Sequence, residues 1–225
     1  MKWESPLMPR DWFEWHELYN SEPKLQQRLE IVREYIAYSL NASADGPIHI
    51  VSVCAGDGRD LLGTLKNHPR KQDVYARLVE INPSLVERGR ATLESLGLDK
   101  QIEFINGDAT IATNYVGAVP ADIVLVCGVF GNLPEEAELN RLLDNLSFLS
   151  KEGAFVIWTR GHSNGIAYSD NVRKTFRTFG FEEVNFKLTA TGDMGVGINR
   201  YLGKNLTVPK EQQLFVFSGV ANKAR

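Results

Sequence analysis

Along this chain, short runs of aliphatic and β-branched residues alternate with segments whose apolar positions recur every three or four residues. Leu25, Leu29, Val32, Ile36 and Leu40 keep to one face of a helix, with Ser21 and Pro23 as its start signals. Strand-like runs follow at 48–53, 75–81, 102–106, 123–127 and 154–158, mostly apolar on both faces, as a covered parallel sheet requires. Between them, Asn82-Pro83 opens a helical pattern that carries Leu85, Gly89, Leu93 and Leu96 and stops at Gly97. A second such pattern, after Pro134, carries Leu139, Leu142, Leu143, Leu146 and Leu149. The alternation predicts an α/β fold built from βαβ units. The last third differs: a helix near 170–179, a strand at 182–188, a loop with Gly192, Gly195, Gly197 and Gly203, then a strand at 212–218. No helical pattern separates those two strands, so they are expected to be antiparallel.

Composition narrows the function classes. A chain of 225 residues, 43% of them hydrophobic, can bury one large core. Its 28 acidic and 25 basic side chains are interspersed for a net charge of −3, so no basic tract offers itself to nucleic acid. Cys54 and Cys127 lie in apolar runs, which predicts neither a disulfide framework nor a metal site. No signal-type leader is evident in residues 1–10, and no apolar run is long enough to cross a bilayer. The expectation is a soluble, cytoplasmic protein without a membrane partner.

In an open parallel sheet, ligands bind beyond the carboxyl ends of the strands. The first such loop, residues 52–60, contains Gly56 and Gly58, which let the backbone turn tightly and approach a ligand closely. A dinucleotide fingerprint would need a third glycine where Leu61 stands, and no P-loop is present. Glu80, 24 residues beyond Gly56 and near the end of the second strand, can accept hydrogen bonds from both hydroxyls of a ribose. Together these point to a nucleoside without a bound pyrophosphate.

With these residues the chain resembles the class I methyltransferases that use S-adenosylmethionine. Cys54-Ala55-Gly56-Asp57-Gly58 is similar to their glycine-rich first motif, and Leu78-Val79-Glu80-Ile81-Asn82 to their acidic second motif. Asn106-Gly107-Asp108-Ala109 and the run from Ala121 to Cys127 resemble the third and fourth. The order and spacing of the four carry the resemblance, which spans residues 45–220. It implies a doubly wound, mostly parallel seven-stranded sheet of order 3-2-1-4-5-7-6, the last strand antiparallel, with helices on both faces. Residues 1–44 would form an N-terminal helical cap or lid, and residues 45–225 the cofactor-binding core.

The implied activity is methyl transfer from S-adenosylmethionine to a small-molecule acceptor by in-line attack. Gly56 and Gly58, with Cys54, Ala55 and Asp57, would lie against the methionine and ribose part of the cofactor. Glu80, beside Ile81, would hold the ribose hydroxyls, Asp108 the adenine amino group, and the Ala109 backbone a ring nitrogen. Cys127 and Gly128 would complete the cofactor side. The sequence departs from the family pattern at Ser52, where an acidic residue is common, and at Cys54, where the first glycine is usual.

Acceptor-side candidates come from three places. Trp12, Trp15, His16 and Tyr19 share one helical face, which suits a lid or a packing helix equally. Phe130 and Asn132 follow the fourth strand, although Asn132 could instead cap the helix after Pro134. Arg160 and His162 close the fifth strand, with His162 the candidate base. The glycine-rich stretch 192–203 would add Arg200 and Tyr201. Cys54 and Cys127, at the ends of neighbouring strands, would close the site if oxidised, or pack as small apolar groups.

Two other readings use the same chain. Gly161-His162-Ser163-Asn164-Gly165 fits the G-x-S-x-G elbow of serine hydrolases, but that fold needs a histidine downstream of the serine. His16, His49, His68 and His162 all precede Ser163. A protein that binds S-adenosylmethionine without catalysis would use the same cofactor residues.

Overall fold

The computed structural model of the protein describes residues 12–162, 166–204, 206, 208–209 and 211–218. Ser163, Asn164 and Gly165 of the elbow-like motif, the stretch 1–11 and the side chain of Trp12 lie outside the described residues. The chain begins with helix α1 (Trp12–Glu17), a 3-10 turn (Leu18–Asn20) and α2 (Pro23–Ala42). The alternating unit follows as β1 (Ile48–Val53), α3 (Arg59–Leu65), β2 (Val74–Glu80), α4 (Pro83–Leu96), β3 (Ile102–Asn106) and β4 (Ala121–Val126). It ends with α5 (Glu136–Leu149), β5 (Ser150–Gly161), α6 (Tyr168–Thr178), β6 (Phe181–Leu188) and β7 (Met194–Tyr201).

All seven strands form one sheet of order β3-β2-β1-β4-β5-β7-β6, as expected. The first five strands run parallel, and β7 is antiparallel to both β5 and β6. The order reverses between β1 and β4, so the loops that follow them part and leave a crevice at their carboxyl ends. Alternate residues of each strand serve two cores. Val51, Val53, Val124, Val126, Val156 and Trp158 pack under α5 and α6, while Ile48, Ile50, Ile123, Leu125 and Ile157 pack under α2, α3 and α4.

Helix signals read from the sequence act as physical caps. The Asn82 side chain accepts hydrogen bonds from Ser84 N and Leu85 N (3.0 and 3.2 Å), and Gly97 ends α4 in the left-handed conformation. The helix after Pro134 starts later than expected, at Glu136, so Asn132 does not cap it. On α2 the buried positions are Leu25, Arg28, Val32, Tyr35, Ile36, Ser39 and Leu40, the expected stripe with one exception: Leu29 is only half-buried, and Arg28 takes an inward position. Helix α2 is fixed to α3 by Arg33, which donates from Nε and Nη2 to the Arg59 carbonyl (3.1 and 2.6 Å). Its exit toward β1 is fastened by Arg70, whose guanidinium donates to the carbonyls of Leu40, Ser43, Ala44 and Gly46.

The last third corrects the expectation. The stretch around Gly195 and Gly197 is not a loop but the strand β7, and 212–218 is not a strand of the sheet. The glycines are small because large rings lie over them: a Cβ on Gly195 would stand 2.7 Å from Phe186, and one on Gly197 would overlap the Trp158 indole. Residues 212–218 form an extended strap that pairs with loops instead of a strand edge, sharing a single bridge between Gln213 and Ile111. Leu214 N donates to Thr110 O (2.7 Å), Val216 N to Glu138 Oε2 (2.7 Å) and Ser218 N to Asn132 O (2.8 Å). Arg200 and Tyr201 are likewise not at the crevice. They pair in register with Phe155 and Phe181, at the amino ends of the parallel strands.

Trp158 is fully buried and its Nε1 donates to Asn199 Oδ1 (2.7 Å), so the indole cannot move aside for a methyl group. Gly197→Ala should therefore lower unfolding free energy by about 1–3 kcal/mol, the usual cost of overpacking, read as a lower urea midpoint with an unchanged slope.

Candidate functional site

The crevice is organised by one carboxylate. Glu80, the last residue of β2, is buried, and its two oxygens accept hydrogen bonds from Gly56 N (2.8 Å, Oε2) and Asn82 N (2.9 Å, Oε1). Its backbone carbonyl accepts from Gly107 N (3.0 Å) and Asn106 Nδ2 (3.1 Å). One residue thus joins the loops after β1, β2 and β3. Burial pushes the Glu80 carboxyl up from its ordinary value, while the backbone donors at Asn82 and Gly56 pull it down.

The loop after β1 takes three successive left-handed turns of backbone: Cys54, Gly56 and Gly58 all have positive φ (55°, 59° and 69°). Cys54 is the one described non-glycine residue in that region, a conformation that is rare outside glycine, asparagine and aspartate. At Gly56 a Cβ would overlap the imidazole of His16, and at Gly58 it would stand 2.7 Å from Leu78. Both glycines are therefore required by backbone shape and by close neighbours.

Helix α1 and the turn after it lie on this loop. Asp57 accepts a two-pronged contact from Arg59 (Nε to Oδ1 2.8 Å, Nη2 to Oδ2 2.7 Å) and an ion pair from Arg88 Nε (2.9 Å). Arg59 Nη1 also donates to the His16 carbonyl (3.1 Å), and Arg88 pairs with Glu17. The Asp57 carboxylate is thus committed to fastening α1, and these contacts hold its carboxyl below the usual range against the effect of burial. Trp15, His16 and Tyr19 meet ring to ring with centroids 5.4–5.9 Å apart. Arg59 lies over Tyr19 at 4.9 Å.

Asp108 accepts from Thr110 N (2.8 Å) through Oδ1, and Ala109 is buried with its carbonyl accepting from Tyr115 Oη (2.8 Å). Ile81 is exposed beside Glu80. After β4, Gly128 has φ 78° and its N donates to Thr159 Oγ1 (2.8 Å). The Gly128 carbonyl accepts from Asn132 Nδ2 (2.7 Å), so Asn132 shapes this loop. Phe130 is not presented to the crevice; it is buried edge-on to Trp158 and Phe176. Arg160 donates to the Gly161 carbonyl (3.0 Å) and lies over the Tyr168 ring at 4.5 Å.

His162 and His16 exchange prominence. His162 Nε2 is bonded to Ser169 Oγ (2.7 Å) and its N donates to Asp193 O (2.7 Å), which ties it to α6 and the turn before β7. His16 instead touches the glycine loop. The two cysteines do not face each other: Cys54 packs with the core under α5 and α6, near Glu80, Asp108 and Tyr115, and Cys127 with the core under α2 to α4, near Arg28 and Asp60. Both cysteines are free, and burial pushes both thiols up, away from the thiolate form that reacts.

Sequence reasoning passed over Arg28, Asp60 and Arg88. Leu29 completes the apolar stripe of α2 in the sequence, so the pattern carried no signal that Arg28 turns inward. Among the described residues no group of three His, Cys, Asp or Glu could hold a metal ion, and no helix is long and apolar enough to cross a membrane.

The model of a family described as "Putative methyltransferase" matches residues 23–163, from the first residue of α2 to just past β5. A stretch of 114 residues, 50% of this chain, is 26% identical to the uncharacterized protein YnbC of Escherichia coli (strain K12), and it spans 19% of that longer protein. In fold, the chain is similar to a magnesium protoporphyrin IX methyltransferase from Synechocystis PCC 6803, solved with bound SAM (TM-score 0.65, 13% identity, 86% of this chain and 92% of that one). It is similar too to an O-methyltransferase family protein from Burkholderia thailandensis (TM-score 0.63, 18% identity, 86% and 60%).

Burial lowers His16 to about 4, with Arg59, Arg88 and Arg28 lowering it further and Asp57 opposing. Docked α1 thus refuses a proton that the released segment accepts near 6.5. Docking should be intact above pH 6.5 and weaken steadily as the pH falls from 6.5 toward 4, seen as faster amide hydrogen exchange in residues 12–20; His16→Gln should flatten that dependence.

Proposed function

The chain belongs to the family described as "Putative methyltransferase", and from that premise we propose that it transfers a methyl group from S-adenosylmethionine to a small-molecule acceptor. The observation that carries this reading is the fixed Glu80 carboxylate against the Gly56–Gly58 loop. Each carboxylate oxygen uses one lone pair on a backbone N–H and keeps another for a ribose hydroxyl. The left-handed glycines leave a backbone surface that a nucleoside can approach without meeting a Cβ. The residues fit the cofactor.

In this reading Glu80 orients the ribose, Asp108 and the Ala109 backbone receive the adenine, and Gly56, Gly58, Cys127 and Gly128 border the methionine end. Asp57 acts through Arg59 and Arg88 by holding α1 in place. Bound there, the cofactor supplies a methyl group already activated on a sulfonium. The chain has only to position the acceptor in line and exclude water. His16, uncharged at neutral pH, shapes the pocket; a group that holds its proton only near pH 4 is a weak base. His162, with Nε2 engaged by Ser169, is equally poorly placed for proton transfer. An acceptor that needs no strong base is therefore favoured. The packing of α1 on the glycine loop supports a small acceptor over a polymer.

Calorimetric titration with S-adenosylhomocysteine tests the cofactor assignment. Wild type should bind, and Glu80→Gln, which removes the charge but keeps one acceptor, should bind about 10- to 100-fold more weakly. Absence of binding by wild type would overturn the reading. Incubation with methyl-labelled S-adenosylmethionine and a metabolite extract should move label into the low-mass fraction; label that stays with the cofactor would indicate binding without transfer.

A further inference from the structure

Strand β5 ends in a cation that no anion meets. Arg160 is half-buried, and among the described residues no carboxylate lies within ion-pair distance of it. Arg59, Arg70, Arg77, Arg88, Arg141 and Arg173 pack to a similar degree, and each has a carboxylate partner. Arg33, which has none, gives its Nε and Nη2 to the Arg59 carbonyl. Arg160 donates from Nη1 to the Gly161 carbonyl (3.0 Å), while its Nε and Nη2 have no partner among the described residues and both reach solvent. One forked edge of this guanidinium is therefore open.

The rest of the group is held. The guanidinium carbon lies 4.5 Å from the centroid of the Tyr168 ring, at the start of α6, which sets the plane of the fork. On the other side a Cβ on Gly131 would stand 3.3 Å from Nη1, so the loop after β4 comes up against the guanidinium without a side chain between them. Burial draws the pKa of Arg160 down, and the opposing influence comes from Tyr168 and not from a carboxylate. Val126 pairs with Trp158, and Gly128 N donates to Thr159 Oγ1 (2.8 Å), so Arg160 stands beside the start of the loop after β4. In the sheet it is three strands from Glu80, roughly 14 Å at the usual strand spacing. The open edge thus lies beyond the methionine end of the nucleoside site, on its β5 side.

We infer that the methyl acceptor is an anionic small molecule, and that the Nε and Nη2 edge of Arg160 receives its carboxylate or phosphate group. The inference rests on the methyl-transfer reading above and deepens it by naming the class of acceptor. The side edge of a guanidinium offers two parallel N–H donors, which match two oxygens of one anion and fix its direction. Such an anion supplies the counter-charge that the protein gives its other packed arginines. Anchored there, the acceptor presents a second atom to the methyl in a set orientation. The anchor takes no part in bond making: the lone pair of the accepting atom takes the methyl, the sulfonium leaves as the thioether, and the product keeps its anion.

Calorimetry on the protein saturated with S-adenosylhomocysteine tests this with three probes: benzoate, its neutral counterpart benzamide, and phenyl phosphate. Wild type should bind at least one of the two anions about 10-fold more tightly than benzamide. The tighter anion tells a carboxylate receptor from a phosphate receptor. Arg160→Gln should abolish the preference while leaving S-adenosylhomocysteine within about twofold. Arg160→Lys, a point charge without the fork, should keep part of it. Wild type that binds neither anion more tightly than benzamide would overturn the inference without any variant having to fold. So would a preference that survives in Arg160→Gln. When methyl-labelled cofactor is incubated with a metabolite extract, mass spectrometry of the labelled product should find a carboxylate or phosphate on it; a product with neither would also overturn the inference. Failure of wild type to bind S-adenosylhomocysteine would instead bring down the nucleoside reading, and benzoate against benzamide on the protein alone would still decide whether Arg160 receives an anion.

Discussion

Three loops meet on one buried carboxylate. Without Glu80, the N–H groups of Gly56 and Asn82 would lose their acceptor, and the turn after β1 would lose its tie to the start of α4. The same residue's backbone carbonyl holds the loop after β3 through Gly107 and Asn106. Glu80, near the protein's switch point, therefore sets the relative positions of the loops after β1, β2 and β3. Burial raises the cost of keeping that charge. The backbone donors offset part of it, and a ribose offering two hydroxyls would offset more.

Around this latch the molecule has two mechanical parts. The sheet with α2 to α6 is locked by two apolar cores and by guanidinium clamps, Arg33 on the Arg59 carbonyl and Arg70 on the turn after α2. The other part is α1 with its 3-10 turn. Its contacts to the core are polar and aromatic, through Asp57, Arg59, Arg88 and Arg28. An interface of charges and rings, with an imidazole pressed on a glycine, is more responsive to protonation and to ligand charge than an aliphatic one.

Much of this was legible in the residues. Two-sided apolar runs gave β1 to β5 because a covered parallel strand has no polar face, and Asn82-Pro83 and Gly97 marked α4 because capping is local chemistry. Glycine misled at β7. Gly195 and Gly197 look like loop residues, yet their smallness answers Phe186 and Trp158, which are distant in sequence. The strap at 212–218 has the alternation of a strand but meets loops, since its partners are chosen by tertiary packing. In the site, Gly56, Gly58 and Glu80 stood out through spacing alone. His16 could not be placed over Gly56, nor Arg28 under Trp15 and Tyr19, because no periodicity reports which way a short helix lies. Arg28 gave no signal of its own, because Leu29 beside it completes the apolar stripe in the sequence.

The strap also bears on the order in which the molecule is completed. Residues 212–218 hold Thr110 and Ala112 in the loop after β3 and Asn132 in the loop after β4, two walls of the crevice. Those walls leave the ribosome long before the residues that brace them, and closing so long a segment carries an entropic cost that neighbouring contacts do not. The five parallel strands pair without the strap, whereas the loops after β3 and β4 are braced by it. Both walls of the crevice therefore take their braces from residues far along the chain, so their shape depends on contacts of long sequence separation.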